Sequence, residues 1–122
     1  IAEPSNERRV AFLTAYRRMH KDSRMAVPMA SAQGYDAVYL LMYSLFGIRD
    51  GRLSGPAIKA QLEDIRRVYY GVVATYDKPF STASKDAVTE NMLVMGLVRN
   101  GRVTFAYPED AKRNLFVQRK AQ

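Results

Sequence analysis

The sequence predicts an α/β chain made of three helices, then a strand, then a C-terminal β-hairpin. Three observations carry this. Apolar residues recur at i, i+4 and i+7 in separate stretches before residue 68. The pattern then changes to a run of β-branched and aromatic residues, VYYGVVATY. Further on, Asn100-Gly101 sits between two apolar runs, the strongest short signal for a two-residue hairpin turn.

The organising stretch is ASAQGYDAVYLLMYSLF, residues 30–46. Tyr35, Val38, Met42 and Leu45 fall at helical spacing, and Tyr39, Leu41 and Phe46 widen the stripe almost to a full turn. A helix apolar nearly all round is expected to be buried nearly all round, so this is read as the central helix. A membrane span needs about 20 continuous apolar residues. Gln33, Gly34, Asp36 and Ser44 interrupt this run, which favours a buried core helix.

The first helix is expected from about Asn6 to His20. Ser5 or Asn6 can cap it, and Glu7 suits its first turn, where the dipole favours a carboxylate. Phe12, Tyr16 and Met19 form its apolar stripe, with Val10 and Leu13 beside them. His20, the only histidine, stands at a basic helix end and is expected to be exposed. A polar connection closes at Pro28, which disfavours helix at Val27. Ser31 is a plausible cap for the central helix, and Gly47 ends it.

Residues 47–55 form a glycine-rich loop with a turn at Asp50-Gly51. Ser54 or Gly55 can cap a third helix that has Pro56 in its first turn. Ile58, Leu62 and Ile65 supply its apolar face, and it is expected to stop near Arg67. A strand over 68–76 follows, in which Gly71 marks a bulge or a close backbone approach. Residues 77–91 are an irregular polar excursion with Phe80 as an apolar anchor. Strands at 92–99 and 102–107 flank the Asn100-Gly101 turn. Pro108 ends the second strand. From Glu109 the chain starts a short helix or runs as a tail, with Leu115, Phe116 and Val117 as a docking patch.

The 122 residues suffice for one domain with one core, and 48% hydrophobic with 25% charged residues is ordinary globular composition. Without cysteine, disulfides and thiolate metal sites are excluded. The chain begins at Ile1 and carries no signal peptide, which suggests a processed chain or a piece of a longer one. Lys plus Arg number 19 and Asp plus Glu 12, for a net charge of +7. The basic residues are spread over every segment, as on solvated faces, and do not form the clustered footprint of a nucleic-acid groove.

No catalytic group can be assembled: there is one histidine, no cysteine, and the carboxylates are scattered among arginines. The chain is therefore not expected to be an enzyme. Asp36 is the best single acid–base candidate because it sits on the central helix. The favoured alternative is a hydrogen-bonded residue near the helix N-terminus, stabilised by the dipole. No metal-ligand spacing occurs, and no cofactor is expected. A lone strand and a distant hairpin make a poor sheet, so either a second copy or strands of a longer chain are expected to complete it.

The ordered set Phe12-x-x-x-Tyr16, Pro28, Tyr35-Asp36-Ala37-Val38, Tyr69-Tyr70-Gly71-Val72-Val73, Leu93–Val98 and Asn100-Gly101-Arg102-Val103 resembles the C-terminal part of type I periplasmic solute-binding proteins. The matching subfamily is the extracellular ligand-binding receptors of branched-chain amino acid ABC transporters. The resemblance covers nearly the whole chain. It implies part of a type I periplasmic-binding-protein fold: residues 1–76 as a portion of the first lobe, 77–91 as a crossover, and 92–122 as hairpin and tail of the second lobe. It implies a small-molecule ligand (an amino acid or related small carboxylate or amide) captured in a two-lobe cleft, and an ABC transporter permease as partner. It also implies a periplasmic, or extracellular and lipid-anchored, location.

On the same resemblance, Met29, Ala30 and Ser31 would face the ligand, with Ala30 nearest. Relatives often carry an aromatic residue there, which this chain lacks, and Met29 has core packing as its alternative. The crossover also departs from the family, with Ser84-Lys85-Asp86-Ala87 where many relatives have Asp-His and a small residue. A fragment of such a receptor is expected to self-associate through the central helix or by exchange across 77–91. The other readings are a self-associating interaction domain without a small ligand and a basic nucleic-acid-binding module.

Overall fold

The computed structural model describes residues 4–21 and 24–113. The described chain has four helices and two small antiparallel sheets: α1 (Pro4–His20), α2 (Pro28–Gly47), α3 (Gly55–Glu63), β1 (Tyr69–Tyr70), β2 (Thr75–Tyr76), a 3₁₀ turn (Glu90–Met92), β3 (Gly96–Arg99), β4 (Arg102–Phe105) and α4 (Pro108–Arg113). A small mixed helix–strand protein is thus what the sequence builds. Leu115, Phe116 and Val117 lie outside the described residues.

α1 begins at Pro4, so Ser5 and Asn6 lie inside its first turn and not at its cap. Its expected stripe is covered only in part. Phe12 is buried and Tyr16 half-buried, while Met19 is exposed. His20 is exposed, its ring 4.3 Å from that of Tyr16.

α2 starts earlier than the apolar run suggests. Pro28 occupies its first turn, where the missing N–H costs nothing, and Val27 stands at the cap. Ser31 is therefore not the cap. It lies one turn inside, donating its hydroxyl to the Val27 carbonyl at 3.1 Å. The helix is not buried all round. Its buried residues are Ala32, Asp36, Leu40 and Ser44, a single stripe at i+4 spacing. Val38, Leu41, Met42 and Phe46 are exposed. Apolar composition reports what a face tolerates, whereas burial depends on which neighbours the chain supplies.

α3 is capped as expected, with the Ser54 hydroxyl accepting from the Ala57 N–H. It stops at Glu63, four residues short of Arg67. At the turn, both Arg66 Nε and Nη2 donate to the Asp64 carboxylate. Residues i and i+2 face apart on a helix, so this pair belongs to a non-helical backbone. That backbone turns Ile65 into the core.

Residues 68–76 are a closed hairpin and not one strand. Tyr69 pairs with Tyr76 and Tyr70 with Thr75, and the Gly71 N–H donates to the Ala74 carbonyl at 2.9 Å. β-branched and aromatic composition predicts extended backbone but says nothing of a reversal within it. β1 and β2 pair with each other within the chain. The main core lies here: Leu40, Ile65, Tyr69, Ala74 and Tyr76, with Tyr39, Tyr43, Leu62 and Phe80 packed on them. A second, smaller cluster joins Phe12 of α1 to Ala32 of α2 and Val72.

The 77–91 segment is irregular, with Phe80 and Ala87 packed on the core as anchors and Pro79 fully buried. β3 starts at Gly96 and not at Met92, which belongs to the 3₁₀ turn. β4 ends at Phe105. The two-residue turn between them has Asn100 at φ 50° and Gly101 at φ 73°, the left-handed pair such a hairpin requires.

Candidate functional site

Two places on α2 matter. The first is Asp36, about two turns in from Pro28. It is 1% exposed, and its carboxylate is met from one side by the β1–β2 hairpin. Oδ1 accepts from the Val72 N–H at 2.8 Å and the Tyr69 hydroxyl at 3.2 Å. Oδ2 accepts from the Val73 N–H at 2.8 Å and the Tyr76 hydroxyl at 3.1 Å. A buried charge is tolerable only when paired or fully hydrogen-bonded, and four donors meet that condition. The compensation comes from the hairpin, not from the helix dipole, whose influence fades beyond the first turn.

The local sequence explains the geometry. β1 and β2 place Tyr69 and Tyr76 opposite each other, so both phenols reach the same acid. The turn between the strands turns the N–H groups of Val72 and Val73 inward. Gly71 lets the backbone come this close: a Cβ there would stand 2.5 Å from Asp36 Oδ2 and 2.6 Å from Tyr76 Cε2.

The tyrosines feel the acid. Burial, then the Asp36 charge, then its hydrogen bond push the Tyr69 and Tyr76 phenols well above their usual range. The Tyr39 hydrogen bond and burial raise Tyr35 to about 12. Tyr39, Tyr69 and Tyr76 stack with centroids 5.5 and 5.8 Å apart, and the Arg8 guanidinium lies 5.2 Å over the Tyr69 ring. An acid saturated by four donors has no lone pair aimed at a substrate. This centre welds α2 to the hairpin.

The second place is the first turn of α2. Met29 is 60% exposed, which removes core packing as its role. Ala30 is exposed and Ser31 half-buried. The three residues are brought together by the helix start, and the Ser31 hydroxyl is engaged by its own backbone. An open groove of about 1040 Å³ lies at the far end of the helix. Tyr43 and Phe46 of α2, Arg49, and Ile65 and Arg67 after α3 line it. At about 1.5 Å per residue that is roughly 25 Å from Ala30. Among the described residues no cluster of His, Cys, Asp or Glu could hold a metal ion. No described helix is long and apolar enough to cross a membrane.

Sequence reasoning found Asp36 but missed its partners. The signal was there in part, since a glycine flagged for close backbone approach needs something to approach. The chain was compared with protein-family models, curated proteins and solved structures, and none of them matches it.

Proposed function

We propose that this chain is part of an ABC-transporter solute-binding receptor that captures a small molecule, an amino acid or related small carboxylate or amide, in a cleft between two lobes. One observation supports the reading. The two motifs that carry the resemblance, Tyr35-Asp36-Ala37 and Tyr69-Tyr70-Gly71-Val72-Val73, form one hydrogen-bonded unit through Asp36. The reading takes these two motifs together as one unit of the receptor fold. In this reading the exposed first turn of α2, with Met29, Ala30 and Ser31, faces the ligand. The permease is the protein partner, and the location is periplasmic or lipid-anchored outside the cell.

The test is calorimetric titration of the full gene product containing these residues with the proteinogenic amino acids and short carboxylates and amides. Saturable binding of one of them, weakened at least tenfold by Ala30→Trp, is the expected result. Absence of binding across the panel would overturn the reading.

A second reading, a self-associating domain without a small ligand, is favoured by the exposure of apolar side chains. Val98 and Val103, cross-strand partners in the β3–β4 hairpin, are 71% and 79% exposed.

A further inference from the structure

The groove at the far end of α2 is left unused by the receptor reading. Its buried side is made by Ile65 and half-buried Tyr43. Ile65 is a member of the main core and Tyr43 packs against it, so the fold itself holds this side in shape. The Phe46 ring, 77% exposed, lines the open side. Gly47 lets α3 close the wall, since a Cβ there would collide with Oε1 of Gln61. The volume of about 1040 Å³ is at the top of the roughly 300–1,000 Å³ usual for small-molecule sites.

The polar groups of the groove divide into engaged and unengaged ones. Asp64 is held by Nε and Nη2 of Arg66, and Asp50 accepts from the Arg52 N–H. Arg49 and Arg67 are exposed and have no acidic partner among the described residues. The Tyr43 hydroxyl and the Gln61 side-chain amide are half-buried and make no hydrogen bond among the described residues. Arg49, Arg66 and Arg67 against Asp50 and Asp64 leave one positive charge in excess. The groove thus joins aromatic surface to unengaged donors and a single uncompensated charge.

We propose that this groove is a binding site for an aromatic monocarboxylate. The guanidinium forks of Arg49 and Arg67 match a carboxylate in shape and charge. The Tyr43 hydroxyl and the Gln61 amide are further donors to it, and Tyr43 and Phe46 offer ring faces to an aromatic body. One excess charge fits one carboxylate, whereas a dianionic phosphate would also face Asp50. Like charge works against the other occupants. A second copy carries a net charge of +7, and the chain beyond Asp110 has basic but no acidic side chains. The site lies at the opposite end of α2 from Ala30, so the inference does not depend on the receptor reading.

The test is a titration of the ¹⁵N-labelled chain with biphenylacetate, followed by amide shifts. Saturable shifts confined to residues 43–50 and 57–67 are expected. Uncharged biphenylacetamide should bind roughly tenfold more weakly, as expected for loss of a hydrogen-bonded charge. Arg49→Gln and Arg67→Gln should each weaken the carboxylate several-fold and leave the amide unchanged. Both side chains are exposed, so neither change disturbs the core. Arg102→Gln, on the distant hairpin, should change nothing, and neither should Ala30→Trp, which separates this site from the receptor cleft.

Equal affinity for acid and amide would overturn the proposal, as would shifts elsewhere in the chain or binding that survives both arginine variants. Tighter binding of biphenyl phosphate would overturn the assignment to a carboxylate. Without any probe, movement of the same resonances on dilution would give the groove to a second copy. Their movement on removal of residues 114–122 would give it to the C-terminal segment. Either result would overturn the proposal.

Discussion

A Cβ at Gly71 would stand 2.5 Å from Oδ2 of Asp36, so the hairpin backbone packs on the α2 carboxylate with no room for a side chain between them. This contact makes Gly71→Ala a sharp test. The methyl has no flexible neighbour to displace, because the acid is held by four donors and the other contact is the Tyr76 ring. Overpacking a full core costs roughly 1–3 kcal/mol. Gly71→Ala is expected to lose about that much in urea unfolding, with the same slope against denaturant. A neutral outcome would mean that the hairpin can withdraw from α2.

Asp36→Asn tests the acid itself. The amide oxygen can replace one carboxylate oxygen, but the NH₂ then faces the donors that Oδ1 or Oδ2 used to accept. A buried donor left without an acceptor costs about 1–3 kcal/mol. Asp36→Asn should therefore destabilise by about 2 kcal/mol or more, and Asp36→Ala by more still. If denaturant midpoints of Asp36→Asn match the parent protein, the four bonds contribute little.

How much of this was legible in the sequence depends on range. α1, α2, α3 and the Asn100-Gly101 turn rest on periodicity and on residues within four positions of one another, and those signals survive in a single sequence. The Asp36 bonds join residues 33 to 40 positions apart, and nothing local announces them. Composition at 68–76 foretold extended backbone, but the reversal at Gly71–Ala74 is specified from outside, by an acid on α2. The exposure of Val38 and Leu41 was hidden for the same reason: an apolar residue does not say whether its neighbour is in the same chain.

The tyrosines give the protein an alkaline limit. Tyr69 and Tyr76 are held above the ordinary value of about 10, so the native state keeps protons that the unfolded chain releases. Stability from this source is fully present below pH 10 and is lost as pH rises past it toward the native values. Urea midpoints measured from pH 8 to 11.5 should fall above pH 10, and the part of the 295 nm absorbance lost in a Tyr69→Phe, Tyr76→Phe variant should appear together with unfolding. The double variant Tyr69→Phe, Tyr76→Phe should flatten the decline. A decline of the same steepness in that variant would place its cause elsewhere.

Lys85 ties the irregular segment to α3. Glu63 receives both Lys59 and Lys85, and those two partners hold its carboxyl below the usual range. The tie is therefore present above the ordinary glutamate value and is lost as pH falls through the lowered one. Ion pairs at the surface contribute little to global stability, so Lys85→Met should hardly move the melting temperature. Its effect should be local: lower amide protection factors at residues 81–87, reproduced in the parent protein at acid pH. Unchanged protection in that segment would show that its buried anchors and its own hydrogen bonds hold it without Lys85.

Gly101→Ala separates the hairpin from the core. Gly101 has φ 73°, and a non-glycine residue held there costs about 1–3 kcal/mol. None of the β3 or β4 residues belongs to the Leu40–Tyr69–Tyr76 cluster, and a two-stranded hairpin with little else to lean on is marginal in water. The strain should therefore be released by fraying and not by unfolding the chain. Amide exchange along β3 and β4 should accelerate several-fold while the Tyr69 and Tyr76 signals stay native and the main unfolding transition moves little. If that transition falls by the full strain energy, hairpin and core unfold as one unit, and the exposed Val98–Val103 face is then more firmly tied to the core than its packing indicates.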